Sequence, residues 1–283
     1  MSRHLLPAVL LACAFAAAAQ QRIEVPSLDA PQGAAVTLPG YWFAAARSGR
    51  APAWVLLHGC GGPYAGNGAL SPRMHDYAKL LNQQGMHALV LDSLTPRGEK
   101  ELCTQRTGQR RVTQTQRRRD ALGALQWLAA RDDVDVKRLG LLGWSNGGST
   151  VLAATNAGHA EVAAAPVRPS HAVAFYPGCA DEQRRGYRPV APLLLLLGAA
   201  DDWTPIAPCQ ALAEASSAPQ PEVHVYTGAY HGFDGLGPVR VRADVPGGVR
   251  PGAGVHVGGD AAAREASRAA LQAFLKSMSD PGQ

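Results

Sequence analysis

The sequence predicts an α/β fold, a mostly parallel sheet with helices on both faces. Two observations carry this. Short apolar runs alternate with stretches of helical spacing from Trp54 to Lys276. The interior runs are continuously apolar and bounded by glycine, as strands covered on both faces are. At 283 residues and 46% hydrophobic content, the chain is long enough to bury one substantial core. A single domain is expected over residues 20–283.

Taken in order, Arg22–Val25 and Ala35–Ala46 look like edge strands joined by a Pro/Gly-rich turn. Trp54–His58 is an apolar run that ends in Gly59-Cys60-Gly61-Gly62, the pattern of an interior parallel strand. Pro72–Gln84 has helical spacing and precedes a strand at His87–Leu91. The longest helix is expected over Thr107–Arg131, where Ala121, Leu122, Leu125, Leu128 and Ala129 recur at steps of three and four. Strand Arg138–Leu142 leads into helix Gly147–Asn156. Strands Ala172–Phe175 and Leu193–Leu197, helix Ile206–Ala215, strand Val223–Tyr226 and helix Ala261–Lys276 complete the alternation. Right-handed crossovers then follow from the β-then-α order. Val239–Gly259 breaks the rhythm, being rich in Gly, Pro and Val. It is either a border of a substrate cleft or a plain surface loop.

Residues 1–19 do not belong to this pattern. Arg3 and His4 give a short basic start, Leu5–Ala12 is mostly apolar, and Ala17 and Ala19 occupy small-residue positions for cleavage. A secretory signal peptide is expected, too short for an ordinary membrane span. Lipid attachment at Cys13 is the less favoured alternative, since Leu11 is larger than lipidation signals usually carry. An exported chain, periplasmic or secreted, is thus expected.

Beyond that leader stand Cys60, Cys103, Cys179 and Cys209. In an oxidising compartment four cysteines allow two disulfides in three connectivities. Each follows an expected strand, and neighbouring loops favour Cys60–Cys103 with Cys179–Cys209. Four buried thiols remain the alternative. No close Cys pair has the spacing of a zinc site.

The formal charge is +5, much of it in Arg110-Arg111 and Arg117–Arg119. A nucleic-acid groove would interleave aromatics with such a run, and none lies between Arg106 and Ala121. A solvated helix face is expected instead, with no nucleic-acid partner.

The sharpest signal is Gly143-Trp144-Ser145-Asn146-Gly147, a G-x-S-x-G with an apolar strand before it and a helical segment after it. The serine must stand on a tight turn above the sheet, with glycines where side chains would strike the neighbouring strand and helix. A serine hydroxyl needs a base, and the base needs a carboxylate to fix its tautomer. Both follow in the order this fold requires. Asp201 comes after strand Leu193–Leu197, with Asp202 as competitor or as a cap of the next helix. His231 lies in a glycine-flanked loop after the last strand, with His256 its one rival. The backbone N–H groups of Cys60 and Asn146 are the expected oxyanion hole. Tyr64, Trp144, Trp203 and Phe233 flank these loops and are candidates to line a substrate cleft or to fill space beneath it. No cofactor or metal is implied; the expected partner is a small-molecule ester or related acyl compound.

With these pieces the chain resembles the dienelactone hydrolase family of the α/β-hydrolases, particularly its exported members. The resemblance rests on Leu57–Gly62, Asp92-Ser93 with Arg97-Gly98, Gly143–Gly148, Gly198–Asp201 with Pro205, and Tyr226–Phe233. It implies Asp201 rather than Asp202 as the acid, His231 as the base and carboxylic ester hydrolysis through an acyl-enzyme. Two departures matter. Dienelactone hydrolases carry a cysteine nucleophile where this chain has Ser145, and a glutamate where it has His58. An ordinary serine esterase is therefore expected. A peptidase or amidase on the same scaffold and a non-catalytic binding protein are the alternatives.

Overall fold

The computed structural model describes residues 20–279; the expected leader and Cys13 lie outside them. Ten strands and seven α-helices follow one another as β1 (Gln21–Pro26), β2 (Thr37–Phe43), β3 (Ala51–Leu57), α1 (Pro72–Gln83), β4 (His87–Leu91), α2 (Gln114–Ala129), β5 (Val134–Trp144), α3 (Asn146–Thr155), α4 (Ala160–Ala163), β6 (His171–Phe175), α5 (Ala180–Arg185), β7 (Leu193–Gly198), α6 (Ala207–Ala215), β8 (Glu222–Tyr226), β9 (Arg240–Arg242), β10 (Val255–Val257) and α7 (Ala261–Ser279). The first eight strands form one sheet in the order β1-β2-β4-β3-β5-β6-β7-β8. β1 and β2 run antiparallel, and β4, β3, β5, β6, β7 and β8 are parallel.

Every residue of β3 is buried, and its alternate side chains feed two cores, as the two-residue period of a strand requires. Val55 and Leu57 join Leu122 and Leu125 of α2, Val151 and Leu152 of α3, and Leu212 of α6. Trp54 and Leu56 face the other way, onto Met74 and Tyr77 of α1 and Leu271 and Leu275 of α7. Among the described residues no helix is long and apolar enough to cross a membrane.

The long helix is shorter than its spacing suggested. Thr113 begins α2 by accepting from the Thr115 N–H, and Gln116 accepts from the Thr113 N–H, so Thr107–Gln109 is left as a separate 3-10 turn. The expectation of a solvated arginine face also fails. Arg117 is fully buried and Arg118 nearly so, while Arg119 remains half-exposed. The helical period explains this: Arg117 shares the inner stripe with Ala121, Ala124 and Leu128. Arg118 and Arg119 both bind Glu161 of α4.

A buried ion-pair network fastens the antiparallel edge to this helix. Arg97 meets Asp120 of α2 through both Nη atoms, at 2.9 and 2.7 Å, and Asp29 at 2.9 Å. The Ser27 hydroxyl donates to Asp120 as well. Removing one partner strands a desolvated charge, which typically costs about 3–5 kcal/mol. Asp120→Ala is therefore expected to destabilise the protein by about 3 kcal/mol or more in chemical denaturation. A change below about 1 kcal/mol would show that water reaches the Arg97 pair.

Candidate active site

β5 ends at Trp144 and α3 begins at Asn146, which leaves Ser145 alone in the turn. Its backbone adopts φ 53° and ψ −118°, a conformation that costs a non-glycine residue about 1–3 kcal/mol. The surroundings impose it. A Cβ on Gly147 would lie 1.9 Å from the Leu57 carbonyl oxygen, and one on Gly143 2.3 Å from that of Gly147. Helix and strand approach so closely that only glycine fits at either position. The Ser145 N–H donates to Phe175 O at 2.9 Å, anchoring the turn to β6.

The turn aims the Ser145 hydroxyl at His231. His231 Nε2 lies 2.8 Å from Ser145 Oγ, and Nδ1 lies 2.8 Å from Asp201 Oδ2. Asp201 also accepts from the N–H groups of Trp203 and Thr204 and from the Thr204 hydroxyl, each at 2.9 Å. An ionised carboxylate only accepts, so the proton between it and the ring belongs to Nδ1. Nε2 is then free to accept from Ser145. The side chains of His231 and Asp201 are 5% and 1% exposed, so little water competes for these bonds. Asp202, by contrast, caps no helix. It binds the His256 backbone N–H at 2.8 Å and the His256 ring at 2.7 Å, away from the serine.

Two backbone donors complete the arrangement. Among the described residues the N–H groups of Cys60 and Asn146 have no hydrogen-bond partner. Asn146 is the first residue of α3, whose unpaired N–H groups favour negative charge. Cys60 is held from three sides: its carbonyl accepts from Leu102 N–H at 2.7 Å, its sulfur is bonded to Cys103, and the preceding Gly59 carbonyl accepts from His58 Nδ1 at 2.7 Å. In a trans peptide C=O and N–H point opposite ways, so fixing the Gly59 carbonyl also fixes the direction of the Cys60 N–H. His58 must carry its proton on Nδ1, because Nε2 accepts from Ser93 N–H at 3.3 Å.

A second disulfide joins Cys179 to Cys209. It links the segment after β6 to α6, on the far side of the Asp201 loop. Sequence reasoning missed a further cluster that steadies the His231 loop. Buried Asp234 accepts from Tyr176, Tyr77 and both Nε and Nη2 of Arg73, at 2.6–3.2 Å. Its one signal was an aspartate three residues past the histidine. Tyr176, held there at φ 38°, sets its ring edge-on to His231 at 4.7 Å.

Ser145 stands where two clefts meet, of about 410 and 880 Å³. Trp203 lines both, its ring 4.6 Å from that of His231. Trp144 borders the smaller cleft, but the residue is 1% exposed, its ring packed on Tyr77 and Phe175. Tyr64 lines neither cleft, and its hydroxyl accepts from Tyr41. Phe233 is wholly buried against Phe175, Tyr176 and Tyr226. The irregular excursion folds back as the β9–β10 hairpin, and Pro238, Arg240, Arg242 and Val257 border the smaller cleft. Among the described residues no group of three or more His, Cys, Asp or Glu is placed to hold a metal ion.

Comparison with known proteins bears on the family and the fold. The model of the dienelactone hydrolase family matches residues 38–279. An esterase from Thermogutta terrifontis with propionate bound superposes with a TM-score of 0.61 at 18% identity, covering 93% of this chain and 94% of that one. A dienelactone hydrolase-like promiscuous phosphotriesterase from metagenomic libraries gives 0.62 at 20% identity, covering 91% and 98%. An acetyl xylan esterase from Paenibacillus sp. R4 gives 0.57 at 18%, covering 80% and 82%. Such likeness speaks to the fold. No curated protein sequence matches the chain.

Burial holds the His58 imidazole down to about 3, and the neighbouring Arg117 guanidinium acts in the same direction. In the unfolded chain it titrates near 6.5, so as pH falls the unfolded state takes up the proton first. The stability His58 contributes is complete above pH 6.5 and is lost progressively toward about pH 3. Chemical denaturation from pH 7 to pH 4.5 should therefore cost the wild type more stability than His58→Gln. Parallel pH dependences would show that His58 is protonated in the folded protein.

Proposed function

The chain belongs to the dienelactone hydrolase family, and we propose that it hydrolyses a carboxylic ester through an acyl-enzyme on Ser145. The observation that carries this is the unbroken line from Ser145 Oγ to His231 to Asp201, with both bonds at 2.8 Å. In this reading His231 takes the hydroxyl proton as Ser145 attacks the acyl carbon. The Cys60 and Asn146 N–H groups bind the oxyanion. Asp201 holds the tautomer and balances the imidazolium. The protonated His231 then gives its proton to the departing alkoxide, and a water activated by the same ring cleaves the acyl-enzyme.

The two clefts suit the two halves of an ester. Leu236, Pro238 and Val257 give the smaller an apolar wall for a short acyl group. Arg110, Thr113, Gln114 and Ser149 give the larger a polar wall for the alcohol. Among the structural relatives, the Thermogutta esterase holds propionate, the acid half of an ester, and the Paenibacillus protein is named for acetyl xylan. Export fits the same reading, since two disulfides are characteristic of oxidising compartments.

Ser145→Ala is expected to lower turnover of p-nitrophenyl acetate and butyrate by about 10⁴-fold or more while thermal unfolding stays within a few degrees of wild type. Retained turnover in that variant would remove the assignment. The matching anilides should be cleaved far more slowly than the esters. Comparable rates would favour an amidase on the same residues.

A further inference from the structure

Among the described residues, Arg117 is the guanidinium set directly behind the proposed oxyanion hole. Its side chain is completely buried in the inner stripe of α2. Nη2 donates to the His58 carbonyl at 2.7 Å, and Nη1 donates to Asn146 Oδ1 at 2.5 Å. One arginine thus spans the two segments that carry the free N–H groups, the loop after β3 and the start of α3. Both acceptors are neutral, and Nε has no partner. Among the described residues no carboxylate touches this cation.

The nearby acids are occupied elsewhere. Asp120 is taken up by Arg97 and Ser27. Asp92 accepts from the Leu94 and Thr95 N–H groups and the Thr95 hydroxyl. Burial lowers the Arg117 pKa to about 10, which leaves it cationic at neutral pH. Burying a charge without a contacting counterion is costly, and a structural tie between two loops could be made with a neutral amide. The negative charge that appears beside it during acyl transfer would supply the missing counterion.

We propose that Arg117 is a positioning residue of the oxyanion hole, orienting the Cys60 and Asn146 N–H groups through His58 and the Asn146 side chain and stabilising the oxyanion by its charge. This rests on the acyl-enzyme reading above. It predicts an effect on the transition state with little on substrate binding. A residue that merely holds the fold would instead change the number of competent molecules.

The test uses the full chain carrying Arg117→Met, Arg117→Lys or Asn146→Ala. Competent sites are counted by stoichiometric fluorophosphonate labelling, kcat and KM are measured on p-nitrophenyl acetate, and affinity is measured for a boronic acid that forms a tetrahedral adduct. Arg117→Met should lower kcat per labelled site by about 100-fold with KM within about threefold, and boronate affinity should fall alongside kcat/KM. Arg117→Lys, which keeps the charge but not the fork, should recover about tenfold of that loss. A kcat per labelled site within about threefold of wild type in Arg117→Met would overturn the proposal. So would a boronate affinity that fails to follow kcat/KM. Should Arg117→Met not fold, Asn146→Ala decides: it removes one acceptor of Arg117 and keeps the backbone N–H. A loss of about tenfold in kcat with KM steady supports the proposal, and an unchanged kcat overturns it. A wild-type protein that fluorophosphonate does not label would instead overturn the acyl-enzyme reading itself.

Discussion

The start of α3 lies so close against the end of β3 that a single methyl group at Gly147 would meet the Leu57 carbonyl at 1.9 Å. That approach forces the left-handed turn at Ser145 and lifts its hydroxyl off the sheet. It also brings the first N–H of α3 alongside the loop that follows β3, so the serine and both free donors are set by one backbone contact. The strain at a single residue is about 1–3 kcal/mol, small beside two cores that bury every residue of β3. A rigid parallel sheet can hold such a turn; a loop could not.

The remaining groups arrive on loops, and the molecule spends covalent and polar restraints on each. The loop after β3 is bonded through Cys60 to Cys103 and braced by His58. The Asp201 loop is closed by three hydrogen bonds to its own carboxylate, from Trp203 and Thr204. The loop bearing His231 is tied by Asp234 to α1 and to the residue after β6, and by Gly258 N–H to the His231 carbonyl at 3.0 Å. Preorganisation of this kind matters because hydrogen bonds aimed at a developing charge act only if they need not move to meet it.

How much of this was legible depended on whether the signal was local. G-x-S-x-G names its turn within five residues, and strand–helix alternation placed Asp201 and His231 at ends of strands that the sheet makes neighbours. Side chains whose roles depend on which way a helix faces were harder. Arg117–Arg119 reads as a charged run, and charge outweighed position there: Arg117 stands one turn before Ala121 on the stripe that α2 buries. Trp144 is adjacent to Ser145 in sequence, but strand alternation turns its ring down into the sheet. Asp234, the β9–β10 pairing and the Asp202–His256 contact join residues from separate segments of the chain. No periodicity or motif records such meetings.

In the proposed reaction Ser145, His231 and the N–H groups of Cys60 and Asn146 act on one acyl centre. A crystal structure of the protein inactivated by a small fluorophosphonate tests this most directly, because the tetrahedral phosphorus imitates the intermediate. Phosphorus is expected bonded to Ser145 Oγ, with one phosphonyl oxygen within about 3 Å of both Cys60 N and Asn146 N. An adduct on another residue, or an oxygen turned away from those two nitrogens, would contradict it.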